Sequence, residues 1–168
     1  MERRASEAQC AALQLTLETL DAASLGAEFR ERAGKDRHVP FPHRNLVILA
    51  IALSYAHERA CARICLSINR DDTADHPAAT EAFIEAFRAT AAALDKRFEI
   101  ATPLIALRKP EVIHLGTSLG VDFSKTYSCL LGRERHCGAC PQCVARKGAF
   151  AKAGVLEPEN VYETGEMS

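Results

Sequence analysis

The apolar positions along this chain change rhythm several times, and each rhythm selects an element. Over residues 6–20, Leu13, Leu17 and Leu20 recur at spacings of four and three while Glu7 and Glu18 remain for the wet side, which predicts an amphipathic helix. A polar stretch over residues 28–38 leads into Val39-Pro40-Phe41-Pro42, where two prolines exclude helix and favour extended backbone. This segment reads as a loop delivering His43, Arg44 and Asn45. Residues 46–53 are apolar without exception, which suits a helix buried on nearly all sides. The run is far shorter than the roughly 18 residues needed to cross a bilayer. Arg63-Ile64-Cys65-Leu66-Ser67-Ile68 is short, mostly apolar and β-branched at two positions, predicting a buried strand that ends at Asn69-Arg70-Asp71-Asp72.

From Pro77 to Leu94 the pattern is helical again, with Phe83, Ile84 and Phe87 on one face, and a second strand is predicted around Phe98-Glu99-Ile100. Pro110 suits the first turn of a further helix carrying Val112, Ile113 and Leu115, with Gly116 or Gly120 to end it. A last helix is predicted over residues 144–153, before a polar tail. Strands alternating with helices define an α/β chain whose parallel sheet is covered by helices on both faces. Ligands then bind beyond the carboxyl ends of the strands, which singles out residues 69–72 and Thr102-Pro103. Only two strands are evident. Either the sheet is incomplete in these residues or further strands escape the pattern.

Composition narrows the function classes. The 168 residues are 48% hydrophobic and 26% charged, the ordinary range of a globular domain. The 21 Lys and Arg against 22 Asp and Glu leave a net charge of -1, and hence no overall field with which to grip phosphates. Nucleic-acid binding is disfavoured on that ground, although Arg133, Arg135, Arg146 and Lys147 form a local basic patch. The opening Met-Glu-Arg-Arg-Ala-Ser-Glu is not a secretion signal, so a cytoplasmic protein, neither secreted nor membrane-bound, is expected.

Seven cysteines are an odd number, and in a reducing compartment clustered cysteines point to metal before disulfides. Cys10, Cys61 and Cys65 are scattered, the latter two read as buried apolar residues, whereas Cys129, Cys137, Cys140 and Cys143 fall within fifteen residues. Four thiolates suit tetrahedral zinc, with an iron–sulfur cluster as the competitor. The compact loop, with Gly132 and Gly138 for tight turns, favours a structural zinc knuckle. Four thiolates on Zn²⁺ carry a net charge of about -2. Arg133, Arg135, His136, Arg146 and Lys147 are close enough in sequence to balance it.

The string Thr126-Tyr127-Ser128-Cys129, the three further cysteines, and then Arg146 and Phe150 resemble the C-terminal signature of the 7-cyano-7-deazaguanine synthases, the QueC or ExsB-like family. Upstream matches follow in the same order: Val39-Pro40, Arg44-Asn45-Leu46, Asn69 with Asp72, and Phe83-Ile84-Glu85-Ala86-Phe87. Thr102-Pro103-Leu104, Lys109 with Glu111, and Leu115-Gly116 complete the set, which spans about residues 39–155.

The resemblance implies a Rossmann-like fold of the N-type ATP pyrophosphatase group, a structural zinc and usually a homodimer. Such enzymes turn 7-carboxy-7-deazaguanine into the nitrile with ammonia and ATP, on the route to queuosine in tRNA. It also implies that Arg44 and Asn45 face nucleotide or substrate, that Asn69 and Asp72 line the strand-end pocket, and that Cys129, Cys137, Cys140 and Cys143 hold the zinc. On this reading residues 1–122 are the nucleotide fold and residues 123–168 the zinc-binding segment and tail.

Two departures qualify the resemblance. The family's Ser-Gly-Gly-x-Asp-Ser phosphate loop occurs nowhere in the chain, so the first strand, phosphate loop, first helix and second strand are expected to be missing, or the loop to come from a partner chain. ATP and Mg²⁺ binding by these residues alone then lacks its usual backbone cradle. The family's Tyr-Ser-Gly-Tyr-Pro-Asp-Cys-Arg is here Thr73-Ala74-Asp75-His76-Pro77-Ala78-Ala79-Thr80, which keeps only the proline.

Plainer roles stand beside these. Arg44 and Asn45 also suit a solvated helix start with Asn as cap, and Asn69, Asp71 and Asp72 a polar turn, with Asp71 and Asp72 a candidate Mg²⁺ pair. Lys109 and Glu111 also suit an exposed helix start, and His76 the surface. The rival to an enzyme is a zinc-stabilised module that binds a deazaguanine-like base or a partner protein without turning over ATP.

Overall fold

The structure is a computed structural model that describes residues 1–22, 24, 43–159 and 161–163. The loop expected at residues 39–42 lies outside them. The elements, in order, are α1 (Glu2–Ala12), α2 (Arg44–Glu58), β1 (Arg63–Cys65), α3 (Arg70–Asp75), a 3₁₀ turn (Pro77–Ala79) and α4 (Glu81–Leu94). They continue with β2 (Glu99–Ala101), α5 (Lys109–Ser118), a second 3₁₀ turn (Phe123–Lys125) and α6 (Pro141–Ala153). The chain divides into two compact units, Glu28–Lys109 and Met1–Ala27 with Pro110–Ser168. This division places residues 110–122 with the cysteine segment, whereas the resemblance implies a boundary at 122/123.

In the unit Glu28–Lys109, β1 and β2 pair in parallel, with Arg63 opposite Glu99, Ile64 opposite Ile100 and Cys65 opposite Ala101. Parallel pairing needs a crossover, which α3, the 3₁₀ turn and α4 supply. Strand periodicity sends Ile64 and Ile100 to one face, where they meet Leu49 and Leu53 of α2 and Phe87 and Ala91 of α4. A second cluster joins Ile68, Ala79 and Ile84. The chain is thus α/β, with two parallel strands and helices over the apolar face. The opposite face carries Arg63 and Glu99, paired at 2.7 Å, and both residues are exposed together with Cys65. Cover on both faces is therefore not what the described residues provide.

Several expectations need correction. The first helix ends at Ala12 rather than near residue 20, because Gln14 turns into left-handed backbone at φ 56° and Leu15 N–H closes onto Cys10 O at 2.8 Å. Leu13 and Leu20 consequently lie 64% and 57% exposed. In α2 only Leu49, Leu53 and Ala56 are buried, and Leu46 and Ile48 are about half exposed, so its uniformly apolar sequence does not correspond to burial on nearly all sides. Cys61 and Cys65 are both exposed instead of buried. The polar turn expected after β1 is the capped start of α3.

In the unit formed by Met1–Ala27 and Pro110–Ser168, Ile113 of α5 packs with Ala149, Phe150 and Ala153 of α6. Phe123 joins this cluster, its ring edge-on to Phe150 at 5.2 Å. Gly116 makes that possible, since a Cβ there would stand 2.7 Å from Phe123 Cζ. No helix among the described residues is long and apolar enough to cross a membrane.

Candidate functional site

Two groups of chemically capable side chains form, one in each unit. Because β1 and β2 run parallel, their carboxyl ends lie at the same end of the sheet. The chain leaving β1 reaches Asn69, and the chain leaving β2 reaches Arg108 and Lys109. Asn69 caps α3: its side-chain oxygen accepts from Asp71 N–H at 3.0 Å and Asp72 N–H at 3.3 Å, and Asp72 Oδ2 accepts in return from Asn69 N–H at 3.2 Å. This reciprocal box satisfies donors that a helix start otherwise leaves unpaired.

Lys109 joins the same cluster through both ends. Its backbone N–H donates to Asp71 Oδ2 at 2.9 Å, and its Nζ donates to Asp72 Oδ1 at 3.1 Å. Arg108 lies 3.6 Å from Asp71 Oδ1. Both carboxylates are therefore already engaged by cations and N–H donors. Arg88 of α4 braces the other strand end, donating to Ile100 O at 3.0 Å and to Thr102 Oγ1 at 2.9 Å.

Arg44 is exposed at the first position of α2. Asn45 is not the helix cap: His43 occupies that place in left-handed backbone, and Asn45 Nδ2 donates instead to Ala78 O at 2.9 Å. Of the four residues expected to bind nucleotide or substrate, hydrogen bonds bring Asn69 and Asp72 together, and Asn45 has a different partner. Asn69→Ala removes the cap and is expected to cost about 1 kcal/mol of stability, read as a lower urea midpoint at unchanged slope. An unshifted midpoint would contradict the capping role.

The second group is the cysteine cluster. The four Sγ atoms of Cys129, Cys137, Cys140 and Cys143 all lie within 4.8 Å of one another. The Cys140–Cys143 and Cys137–Cys143 sulfur pairs are 3.4 and 3.9 Å apart. A tetrahedron with metal–sulfur bonds of about 2.3 Å has edges of about 3.8 Å, so the donor set fits a single ion with little movement. Cys140 and Cys143 are placed by the start of α6, whose first position is Pro141, and Gly138 supplies the left-handed turn before it at φ 76°.

Backbone donors point at the sulfurs, Cys137 N–H at 3.4 Å from Cys129 Sγ and Cys140 N–H at 3.3 Å from Cys137 Sγ. The backbone N–H groups of Ala139 and Cys140 hold the Cys137 thiol below its usual range. For Cys140, burial acts upward, but the N–H groups of Leu130 and Cys143 and the neighbouring thiols outweigh it and bring the thiol down to about 6. Cys143 moves the other way, pushed up to about 12 by burial and by sharing a proton with Cys140. A site that already stabilises thiolate is one that can hold a metal ion such as zinc.

Of the cations expected to neutralise the cluster, Arg146, Arg133 and Lys147 have other partners. Arg146, its side chain 9% exposed, pairs with Glu157 at 2.5 Å and donates to Thr126 Oγ1 at 2.7 Å and Phe123 O at 3.1 Å. Arg133 pairs with Glu163 at 2.6 Å. Lys147 Nζ donates to Gly138 O at 3.0 Å and sits 4.3 Å from the centre of the Tyr162 ring.

His136 is 3% exposed and has both ring nitrogens in use. Nε2 accepts from Ser128 N–H at 3.0 Å, and Nδ1 lies 3.1 Å from Val161 O, which can only accept, so the ring is the neutral Nδ1–H tautomer. Burial, and then the Arg146 charge, lower its pKa and keep it neutral. His136 is thus a clamp rather than a counter-charge or a ligand. Glu157, Val161 and Tyr162 escape a reading of the sequence, and no periodicity marks them.

The chain is similar to known proteins over most of its length. The family model described as queuosine biosynthesis protein QueC matches residues 6–154. The chain is 34% identical over 158 residues to the 7-cyano-7-deazaguanine synthase 1 of Sulfurisphaera tokodaii, covering 94% of this chain and 77% of that protein. It is 40% identical over 138 residues to the 7-cyano-7-deazaguanine synthase of Geobacter sp. (strain M21), covering 77% and 61%. The corresponding protein of Geotalea uraniireducens is 35% identical over 167 residues, covering 92% and 73%. The chain thus spans between about three fifths and three quarters of the length of these relatives. A match that runs from within α1 to the end of α6, together with relatives this similar, places the chain in the QueC family of queuosine biosynthesis proteins.

Proposed function

We propose that this chain works as a 7-cyano-7-deazaguanine synthase, converting a 7-carboxy-7-deazaguanine-type acid to the nitrile with ammonia and ATP. The observation that carries the reading is the family match over residues 6–154, which includes the four clustered cysteines. The substrate carboxylate is activated by adenylation, converted to the amide and then dehydrated. Adenylation replaces a poor leaving oxygen with a good one, and the protein's task is to hold phosphate and carboxylate in line.

On this reading Arg44 and Asn45 face nucleotide or substrate, and Asn69 and Asp72 line the pocket at the strand ends. Lys109 keeps the Asp72 carboxylate in place from across the sheet end. Residues 1–122 then supply the nucleotide fold and residues 123–168 the metal segment. Cys129, Cys137, Cys140 and Cys143 hold zinc, which with four protein ligands has no open position and acts structurally. ATP arrives with Mg²⁺, and its pyrophosphate is cradled by a phosphate loop that residues 1–168 do not carry and that a different chain supplies. The reaction belongs to the cytoplasm, where thiols remain reduced.

Calorimetric titration of ATP, of the 7-carboxy acid, and of both together tests the reading. Heat from the acid that grows when ATP is present is the expected result. Heat from neither titrant, alone or combined, would reject ATP chemistry by this chain on its own. Binding of the acid unaffected by ATP would make the chain a base-binding module instead.

A further inference from the structure

The family match ends at residue 154, yet the residues that follow hold both halves of the cysteine cluster. Val161 O accepts from His136 N–H at 2.9 Å, and Glu163 N–H donates to His136 O at 2.9 Å, so the backbone just before Cys137 is paired on both sides with the tail. The His136 ring extends this hold to Ser128, immediately before Cys129, through its 3.0 Å bond from Ser128 N–H. The segments carrying Cys129 and Cys137 are thereby tied to the tail.

Tyr162 reaches the other half. Its ring lies 5.6 Å from the His136 ring on one side and 4.3 Å from Lys147 Nζ on the other, and Lys147 stands on α6 one turn beyond Cys143. The Tyr162 hydroxyl donates to the Glu157 carboxylate, whose oxygens are 2.9 and 3.0 Å away, and Glu157 is held in turn by Arg146 of α6.

We propose that the tail is a strap that retains the metal: Val161, Tyr162 and Glu163 hold the segment before Cys137 against the start of α6 and set how fast the ion escapes. This rests on the metal reading of the four sulfurs. A tetrahedral ion leaves only after more than one sulfur has let go, and a sulfur on a tethered segment rebinds before the next one leaves. Groups behind the ligands that orient them act in this way at metal sites generally.

The test uses the full chain loaded with one equivalent of zinc and follows transfer of the ion to a chromogenic chelator. Tyr162→Ala, which removes the ring between His136 and Lys147, is expected to release zinc about tenfold faster or more. Glu163→Pro, which deletes the N–H donated to His136 O, is expected to do the same. Glu163→Ala keeps that N–H and loses only the carboxylate toward Arg133, so its release should stay close to that of the unsubstituted chain. Tyr162→Phe keeps the ring and loses the bond to Glu157, and falls between.

Ile113→Ala weakens the core of the same unit away from the tail and controls for a general loss of stability. Unchanged release from Tyr162→Ala and Glu163→Pro overturns the strap, and so does equal acceleration by Ile113→Ala. Absence of zinc uptake by the unsubstituted chain rejects the metal site itself and the strap with it. That failure shows in the zinc content before any release is measured.

Discussion

Stripping zinc from the loaded chain with a strong chelator is expected to lower its melting temperature sharply, through loss of structure around Cys129, Cys137, Cys140 and Cys143. At free zinc a thousandfold above its dissociation constant, binding to the folded state alone contributes about 4 kcal/mol. The unfolded chain cannot present four sulfurs within 4.8 Å of one another, so most of the binding energy acts as folding energy. Cys143→Ser should mimic the chelator. Its sulfur lies 3.4 Å from Cys140 and 3.9 Å from Cys137, at the buried side of the set, and a hydroxyl is a poor replacement for thiolate.

Zinc binding should also release protons at neutral pH. Cys140, with its thiol near 6, is already largely thiolate there, whereas Cys143, near 12, gives up its proton to the buffer only when the metal displaces it. The measured binding enthalpy should therefore depend on the ionisation enthalpy of the buffer. Superimposable melting curves with and without chelator would refute the structural role.

Arg146→Met is expected to cost about 3–5 kcal/mol, the second large effect. Arg146 and Glu157 are 9% and 15% exposed, and removing the guanidinium leaves the largely buried carboxylate with, among the described residues, the Tyr162 hydroxyl as its donor. The substitution also removes the donor to Thr126 Oγ1 and one donor to Phe123 O, which keeps its bonds from Thr126. Arg146→Lys should recover only part of the loss, because one ammonium cannot span three acceptors that a planar fork serves together. Adding Glu157→Gln to Arg146→Met should restore stability relative to Arg146→Met alone, giving a coupling energy of about 1–3 kcal/mol in a double-mutant cycle. A cost near zero for Arg146→Met in chemical denaturation would show that this pair does not support the unit.

The helices and strands were legible where local rules suffice. The apolar face of α4 and the proline in the first turn of α5 each act through neighbours within a turn or two, and both elements fall close to where the pattern puts them. The end of α1 was not legible, since Leu13, Leu17 and Leu20 keep helical spacing while the backbone turns at Gln14. Nor was the exposure of Leu46 and Ile48, because an apolar sequence states what a helix can bury and not what is there to cover it. Asn69 and Asp72 stand out in the sequence as polar residues beyond the first strand. That they form a helix cap and meet Lys109, 37 positions from Asp72, follows only from the parallel pairing of β1 and β2.

By itself the order of residues determined the α/β class, the family and the four sulfurs, because these depend on spacing along the chain. The tertiary structure alone decided what surrounds the sulfurs: a neutral His136 wedged between Ser128 and Val161, Arg146 committed to Glu157, and a tail paired with the backbone before Cys137. Partners 8 to 27 positions apart carry no periodic signature. Whether a cation serves a thiolate or a nearby carboxylate is settled by distance and burial, which exist only once the chain has folded.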